Sequence, residues 1–227
     1  MWPHPPERVR AHLRLYLVTD ADLCLHHTMS EVIRLSVAGG ATCVQLREKG
    51  LGTRAFVERA RALKALLSTL AEPVPLIIND RLDVALACGA DGVHVGQSDM
   101  PVEVVRAHLP RAIVGLSVES VEDARASAGL DVDYLGVSPV FATPTKTDTA
   151  PALGLSGLAA IRALGDTPLV GIGGLNAANA AEVIRAGADG IAVVSALCAA
   201  EDPEAAARDL RARVDAALST RRAEVRP

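Results

Sequence analysis

Short apolar runs alternate with longer segments of helical periodicity along most of the chain. Continuous apolar runs are typical of buried parallel strands, and a helix between two of them makes a strand–helix–strand unit. Because such crossovers are right-handed, both strands end at the same edge of a sheet, so Asp80 and Asp99 are expected to face one cleft. The unit that carries these two aspartates consists of strand Pro75–Asn79, helix Arg81–Cys88 and strand Gly92–Gly96.

The same alternation occurs eight times within about 200 residues, which predicts a single (β/α)8 TIM barrel of the α/β class. The other predicted strands are Leu13–Val18, Cys43–Leu46, Ile113–Val118, Tyr134–Val140, Pro168–Ile172 and Gly190–Val194. The other predicted helices are Met29–Ala38, Arg54–Leu70, Val102–Leu109, Val121–Ala128, a helix capped by Ser156 and ending at Leu164, Ala177–Ala186 and Pro203–Leu218.

The predicted barrel occupies residues 13–218, between an N-terminal extension, 1–12, and a frayed C-terminal tail, 219–227. One internal repeat fits a barrel: GADGVHVGQ at Gly89–Gln97 recurs as GADGIAVVS at Gly187–Ser195. This similarity is weak evidence for a half-barrel duplication, because tight helix-to-strand turns prefer glycine in any case.

Composition favours a small-molecule partner. The net charge of -4 and the five aromatic residues provide neither a basic surface nor stacking platforms for nucleic acid. The longest apolar stretch, Ile191–Ala200, is too short to cross a membrane, and the N-terminus lacks a signal-peptide pattern. The four cysteines are widely spaced and are expected to be reduced, so a cytoplasmic location is expected.

Charged and polar residues follow most of the predicted strands, at the end of a TIM barrel where active sites lie. Cations and two acids around one mouth suit a polyphosphate shared between Mg²⁺ and Lys/Arg side chains. The GIGG segment and Val194–Ser195 occupy positions where many barrels hold a phosphomonoester with backbone N–H groups. Two phosphate sites imply two small phosphorylated substrates and a joining reaction.

Eight motifs, taken in order, resemble the thiamine phosphate synthase family. They are YLVTD, QLREK, IINDRLD, GADGVHVGQSD, GLS, the TPTK loop, GIGG and GADGIAVVSAL, and they extend from Leu13 to Leu197. The resemblance implies a TIM-barrel transferase that joins 4-amino-2-methyl-5-(diphosphooxymethyl)pyrimidine to a thiazole phosphate. It also implies bound Mg²⁺ and a dissociative reaction, in which pyrophosphate departs first and the thiazole nitrogen captures a pyrimidine methylene cation.

The resemblance also implies a role for each matching residue. The pyrimidine diphosphate would be bound by Gln45, Leu46, Arg47, Glu48, Lys49, Asn79, Ser117 and Lys146, of which Arg47, Lys49, Ser117 and Lys146 would be catalytic. The thiazole phosphate would be bound by Thr143, Pro144, Thr145, Gly173, Val194 and Ser195, and Mg²⁺ by Asp80 and Asp99. Ser138 and Glu119 depart from the family pattern, which more often has glycine and histidine there.

Other interpretations of single residues stay open from the sequence. Asp80 could cap the helix that begins at Arg81, and Asp99 could cap the next helix. His94, which is flanked by apolar residues, is more typical of an interior histidine than of a metal ligand. A thiazole tautomerase-like barrel and a non-catalytic phosphate-sensing barrel are the alternative functions, and neither needs the full charged set. A homo-oligomer is compatible with the sequence.

Overall fold

A computed structural model describes residues 5–70, 72–143 and 151–224. Eight parallel strands form a closed barrel in chain order, and the last strand pairs with the first. The predicted TIM-barrel fold is confirmed. The strands are β1 Leu15–Val18, β2 Cys43–Leu46, β3 Leu76–Asn79, β4 Gly92–Val95, β5 Ile113–Val118, β6 Tyr134–Val137, β7 Leu169–Ile172 and β8 Gly190–Val193.

Helices surround the barrel, and local signals set several of their first residues. The helix after β1 begins with a capping box, in which Thr28 accepts from the Glu31 N–H and Glu31 accepts from the Thr28 N–H. Ser120 caps the helix after β5 in the simpler way, by accepting from the Asp123 N–H. The helices are α1 Pro6–Leu13, α2 Met29–Ala38, α3 Thr53–Ser68, α4 Leu82–Cys88, α5 Val102–His108, α6 Val121–Ala126, α7 Gly154–Arg162, α8 Ala180–Arg185, α9 Ser195–Cys198 and α10 Pro203–Glu224.

Alternate strand residues form two separate apolar cores, since successive side chains of a strand point to opposite faces. Leu15 and Leu17 belong to the outer core, which packs against the helices. Tyr16 and Val18 belong to the inner core, inside the barrel, together with Cys43 and other inward-facing residues. Among the described helices, none is long and apolar enough to cross a membrane.

Helix α1 belongs to the barrel, although the sequence analysis placed it in an N-terminal extension. Its Val9 and Leu13 are buried in the inner core and close the base of the barrel. The prediction that β1 begins at Leu13 was wrong, because Leu13 ends this helix. Pro6 stands in the first turn of α1, where a missing N–H costs nothing.

The C-terminal helix α10 is longer than predicted. Residues 219–224, expected to fray, are helical, while residues 225–227 lie outside the described ranges. The Arg221 side chain donates to the carbonyl oxygens of Ile184 (2.8 Å) and Ala188 (2.7 Å), and it pairs with Asp189 at 3.1 Å. These contacts hold the last turns against the base of the barrel.

The start of α7 also differs from the prediction. The helix begins at Gly154, so Ser156 lies inside its first turn, and the residue at the cap position is Leu153, which makes no side-chain capping bond. The predicted Ser156 cap was therefore wrong.

Four equivalent contacts tie the strands together at the base of the barrel. The residue before each even-numbered strand accepts a hydrogen bond, through its side chain, from a backbone N–H at the start of the preceding strand. Its own N–H donates to the carbonyl of the same partner. The side-chain contacts are Thr42 with Leu15 (3.0 Å), Asp91 with Leu76 (2.8 Å), Asp133 with Val114 (2.7 Å) and Asp189 with Leu169 (3.0 Å). The two GADG segments thus supply two members of a fourfold structural repeat.

Candidate active site

A cavity of about 820 Å³ lies at the carboxyl ends of the strands. It brings together, from distant parts of the chain, most of the residues that the sequence analysis selected. Those that line it are Gln45, Arg47, Lys49, Asn79, Asp80, Asp99, Ser117, Thr143, Gly173, Val194 and Ser195. Pro144, Thr145 and Lys146 lie outside the described residues.

Two selected residues do not line the cavity. Leu46 is fully buried in the outer core, between the sheet and the helices. Glu48 pairs with Arg59 of helix α3. Both alternate with residues that face the cavity, so their side chains point to the other face of the strand and its extension.

Asp80 stands at the centre of the charged side of the cavity. Its backbone is left-handed, with φ of 62°, a conformation that costs a residue with a side chain about 1–3 kcal/mol and often marks functional sites. The Asp80 N–H donates to the His94 carbonyl at 2.8 Å, which holds this backbone in place. Its carboxylate lies 2.8 Å from the Lys49 ammonium and so faces the mouth.

Asp99 lies beside Asp80, in the loop after β4. Its carboxylate accepts from the Gly96 N–H at 2.7 Å. Burial raises the pKa of the Asp99 carboxyl, the Gly96 N–H lowers it, and a hydrogen bond with the Asp80 carboxyl raises it. Neither aspartate caps its neighbouring helix, because the cap positions of α4 and α5 are Arg81 and Pro101. The two carboxyl groups are thus directed toward each other and the cavity.

Arg47 is held at the rim by the end of β1. The Arg47 guanidinium lies 3.3 Å from the Asp20 carboxylate, and the Arg47 backbone N–H donates to the Thr19 hydroxyl at 3.1 Å. Asp20 also accepts from the Asp22 N–H, which fixes the turn after β1. The sequence analysis did not select Asp20 for the site, although an acid directly after a predicted strand was the signal that selected Asp80.

The opposite side of the cavity is made of glycine turns and backbone. Gly173 and Gly174 both have positive φ, and a Cβ on either would lie 2.7 Å from an atom of the loop after β6. Glycine is therefore required at both positions on conformational and steric grounds. Val194 and Ser195, at the start of the short helix α9, line the cavity as well.

Three residues at the floor of the cavity were not selected as ligand-binding residues. Tyr16, His94 and Tyr134 are buried, and their side chains are hydrogen-bonded to one another or to cavity-lining residues. His94 is an interior histidine, as expected, but it also lines the cavity. Both tyrosines of the chain lie in this floor.

The two departures from the family pattern, Ser138 and Glu119, also line the cavity. The Ser138 N–H donates to the Val118 carbonyl at 3.0 Å, and the Glu119 N–H donates to the Asp123 carboxylate at 2.9 Å. A hydrogen bond thus holds each backbone, and the two residues place a hydroxyl and a carboxyl group in residues that line the cavity.

Comparison with known proteins gives one consistent family. Residues 15–197 match the family described as thiamine monophosphate synthase. The thiamine-phosphate synthase of Albidiferax ferrireducens is 60% identical over 205 residues, which are 90% of this chain and 93% of that protein. The thiamine-phosphate synthase of Chloroflexus aurantiacus is 54% identical and covers 88% of this chain and 92% of its own length.

A solved structure has the same architecture. The thiamine phosphate pyrophosphorylase from Pyrococcus furiosus superposes with a TM-score of 0.84 and is 40% identical, over 92% of this chain and 99% of that one. A 3-hexulose-6-phosphate synthase structure, with a TM-score of 0.64 and 20% identity, shares the fold alone.

Proposed function

The chain belongs to the thiamine monophosphate synthase family, and we infer that it is a transferase of thiamine biosynthesis. It joins 4-amino-2-methyl-5-(diphosphooxymethyl)pyrimidine to a thiazole phosphate and releases pyrophosphate. One observation carries this conclusion: a single cavity has one side of charged side chains, both cationic and acidic, and an opposite side of glycines and exposed backbone. Two chemically different phosphate groups require two such sides.

The charged side suits the diphosphate. Arg47 and Lys49 place two cations at the same rim, and each is already oriented by a carboxylate, at 3.3 Å from Asp20 and 2.8 Å from Asp80. A departing pyrophosphate gains negative charge, so cations fixed in advance stabilise the transition state more than the bound substrate. Lys146 would add a third cation from the loop after β6.

Bond breaking can then come first. The carbon–oxygen bond of the pyrimidine methylene breaks, and its electron pair leaves with the pyrophosphate oxygen. The resulting methylene cation, stabilised by the pyrimidine amino group, accepts the lone pair of the thiazole nitrogen, which forms the new carbon–nitrogen bond. No side-chain nucleophile takes part, so the protein contributes positioning and charge neutralisation.

The pair of carboxyl groups fits a magnesium ion. Within the described ranges, no group of three or more His, Cys, Asp or Glu side chains could hold a metal. Mg²⁺ commonly takes only one or two carboxylates and completes its shell with water and phosphate oxygens. Asp80 and Asp99 supply such a pair: burial raises the pKa of the Asp99 carboxyl, and the neighbouring Asp80 carboxyl raises it further. When bound, Mg²⁺ would neutralise charge on the diphosphate.

The glycine side suits the thiazole phosphate. Backbone N–H groups bind a phosphomonoester well where no side chain intervenes, and Gly173 and Gly174 keep this surface open. Ser195 adds a hydroxyl at the same wall. The reacting nitrogen would then face the pyrimidine across the cavity.

A two-substrate assay with the wild-type protein tests the function. The pyrimidine diphosphate and the thiazole phosphate are mixed with enzyme and MgCl₂, and both thiamine phosphate and pyrophosphate are measured. We expect equal amounts of the two products, no product if either substrate is left out, and loss of turnover with excess chelator that MgCl₂ restores. Isomerisation of the thiazole phosphate alone, or binding without turnover, would contradict the proposal. Full activity in chelator would contradict the metal assignment.

A further inference from the structure

Five side chains form an unbroken hydrogen-bonded chain across the floor of the cavity. Gln45 Nε2 donates to the Tyr16 hydroxyl at 2.8 Å, and the Tyr16 and Tyr134 hydroxyl groups are 3.0 Å apart. The Tyr134 hydroxyl lies 2.9 Å from His94 Nδ1, and His94 Nε2 lies 2.8 Å from Ser117 Oγ. The chain therefore connects Gln45 and Ser117 through the buried rings of Tyr16, Tyr134 and His94, and all five residues except Tyr134 line the cavity. We name it the floor chain.

Two strands lack side chains where the floor chain passes. A Cβ on Gly115 would lie 2.4 Å from His94 Nδ1 and 2.2 Å from Tyr134 Cζ. A Cβ on Gly136 would lie 2.9 Å from His94 Cε1. The His94 and Tyr134 rings stack in this space with centroids 5.4 Å apart. Close packing against these two glycines fixes the His94 and Tyr134 rings and thus the three hydrogen-bonded contacts that they make.

The contacts give the floor chain a direction. Burial raises the pKa of Tyr16 and of Tyr134 well above the usual value, so each phenol keeps one hydrogen to donate. With Tyr16 accepting from Gln45, an arrangement that satisfies every contact has Tyr16 donating to the Tyr134 hydroxyl and Tyr134 donating to His94 Nδ1. A neutral imidazole that accepts at Nδ1 carries its hydrogen on Nε2.

We propose that the floor chain holds His94 in the Nε2–H form and thereby turns the hydroxyl hydrogen of Ser117 into the cavity. Ser117 Oγ accepts from His94, so its own hydrogen is free to donate to an anionic oxygen of the ligand. Tyr134 and His94 are positioning residues for Ser117. That this oxygen belongs to the departing pyrophosphate rests on the proposed function. The position of the hydrogen on His94 does not depend on that function.

Nitrogen-15 NMR of the ligand-free, full-length protein measures the state of His94 directly. Long-range couplings between the carbon-bound ring hydrogens and the two ring nitrogens distinguish hydrogen on Nε2 from hydrogen on Nδ1. A His94→Gln sample identifies the His94 signals among those of six histidines. We expect the neutral Nε2–H form in the wild-type protein at neutral pH. Hydrogen on Nδ1, or on both nitrogens, would overturn the proposal.

Two matched variants test the coupling. Tyr134→Phe removes the donor to Nδ1, so the Nδ1–H form should become measurable. Tyr16→Phe keeps that donor but removes the hydrogen bond that directs it, so the Nδ1–H fraction should be smaller than in Tyr134→Phe. In the two-substrate assay, Tyr134→Phe should lower kcat about 10-fold, the effect of one lost hydrogen bond, and change each KM by less than about 3-fold. Tyr16→Phe should lower kcat less.

The outcomes separate this proposal from the proposed function. If the wild-type protein has no turnover but His94 is in the Nε2–H form, the function fails and the floor chain stands. If the wild-type protein turns over substrate but Tyr134→Phe leaves both the His94 state and kcat unchanged, the floor chain has no positioning role. Circular dichroism of each variant checks that the barrel is folded.

Discussion

Aspartates at the base of the barrel differ from those at its mouth in how fully the protein engages them. At the base, Asp133 is completely buried, accepts from the Val114 N–H and pairs with Arg106 at 2.9 Å. At the mouth, Asp80 is partly exposed, sits on a left-handed backbone and faces an exposed lysine. The base carboxylates thus bind the backbone at the starts of the strands, whereas the mouth carboxylates face the cavity, where we propose that they bind Mg²⁺.

The contacts of an aspartate therefore depend on whether it lies before or after its strand. Asp91 precedes β4 and Asp80 follows β3, so the same pair of strands carries one acid of each kind. In TIM barrels, conserved chemistry lies at the carboxyl ends of the strands and stabilising contacts lie at the amino ends. Substitutions at the two ends should therefore affect different measurements.

The largest effect on stability is expected at the base. Asp133→Ala leaves the Val114 N–H without its side-chain acceptor and deprives Arg106 of a buried partner. Because Arg106 keeps the Asp131 carboxylate as a partner, the expected fall in the free energy of unfolding is that of a lost charged hydrogen bond, about 1.5–3 kcal/mol. Urea unfolding measures the loss, and kcat per folded molecule should stay at the wild-type value. A loss below about 1 kcal/mol would contradict the structural role.

A smaller loss is expected for the neutral member of the fourfold repeat. Thr42→Ala removes an acceptor for the Leu15 N–H and a donor to the His12 carbonyl at 2.9 Å, which joins α1 to the barrel. The free energy of unfolding should fall by about 1 kcal/mol, the usual net value of such a contact. Urea unfolding of Thr42→Ala and Thr42→Ser separates the hydroxyl from the methyl group, since serine keeps both hydrogen bonds. A serine variant as unstable as the alanine variant would contradict this explanation.

At the mouth, stability should hardly change or should rise. Asp80→Gly relieves the left-handed strain, while the lost contact with the exposed Lys49 contributes little. We expect a free energy of unfolding equal to that of the wild type or up to about 1 kcal/mol higher, with turnover lost. Thermal and urea unfolding, run beside the activity assay, measure both. A decrease of more than about 2 kcal/mol would show that Asp80 is part of the structural framework.

Local sequence pattern predicted the barrel well because each strand–helix unit carries its own signal. It missed helix α1, although Val9 and Leu13 are four residues apart and Pro6 is a typical first-turn residue. The Pro-rich start concealed that signal. The end of α10 could not be predicted locally, because Arg221 is anchored by residues more than thirty positions earlier.

Most of the cavity-lining residues could also be predicted from local sequence pattern. Residues directly after strands could be placed at the mouth, and most of them line the cavity. The floor chain could not be predicted, because residues 16, 94 and 134 meet only when the barrel closes. Its one local signal is the pair of strand glycines, Gly115 and Gly136, whose missing side chains leave room for the rings.

The most direct test of the division between base and mouth compares Asp80→Asn with Asp91→Asn in the two-substrate assay. The substitutions are chemically identical, and asparagine tolerates the left-handed backbone at position 80. We expect kcat per folded molecule to fall by about 10²–10³ for Asp80→Asn, as for other lost electrostatic contacts, and by less than about 2-fold for Asp91→Asn. Equal losses in the two variants, or full turnover with Asp80→Asn, would contradict the assignment of the mouth carboxylates to catalysis.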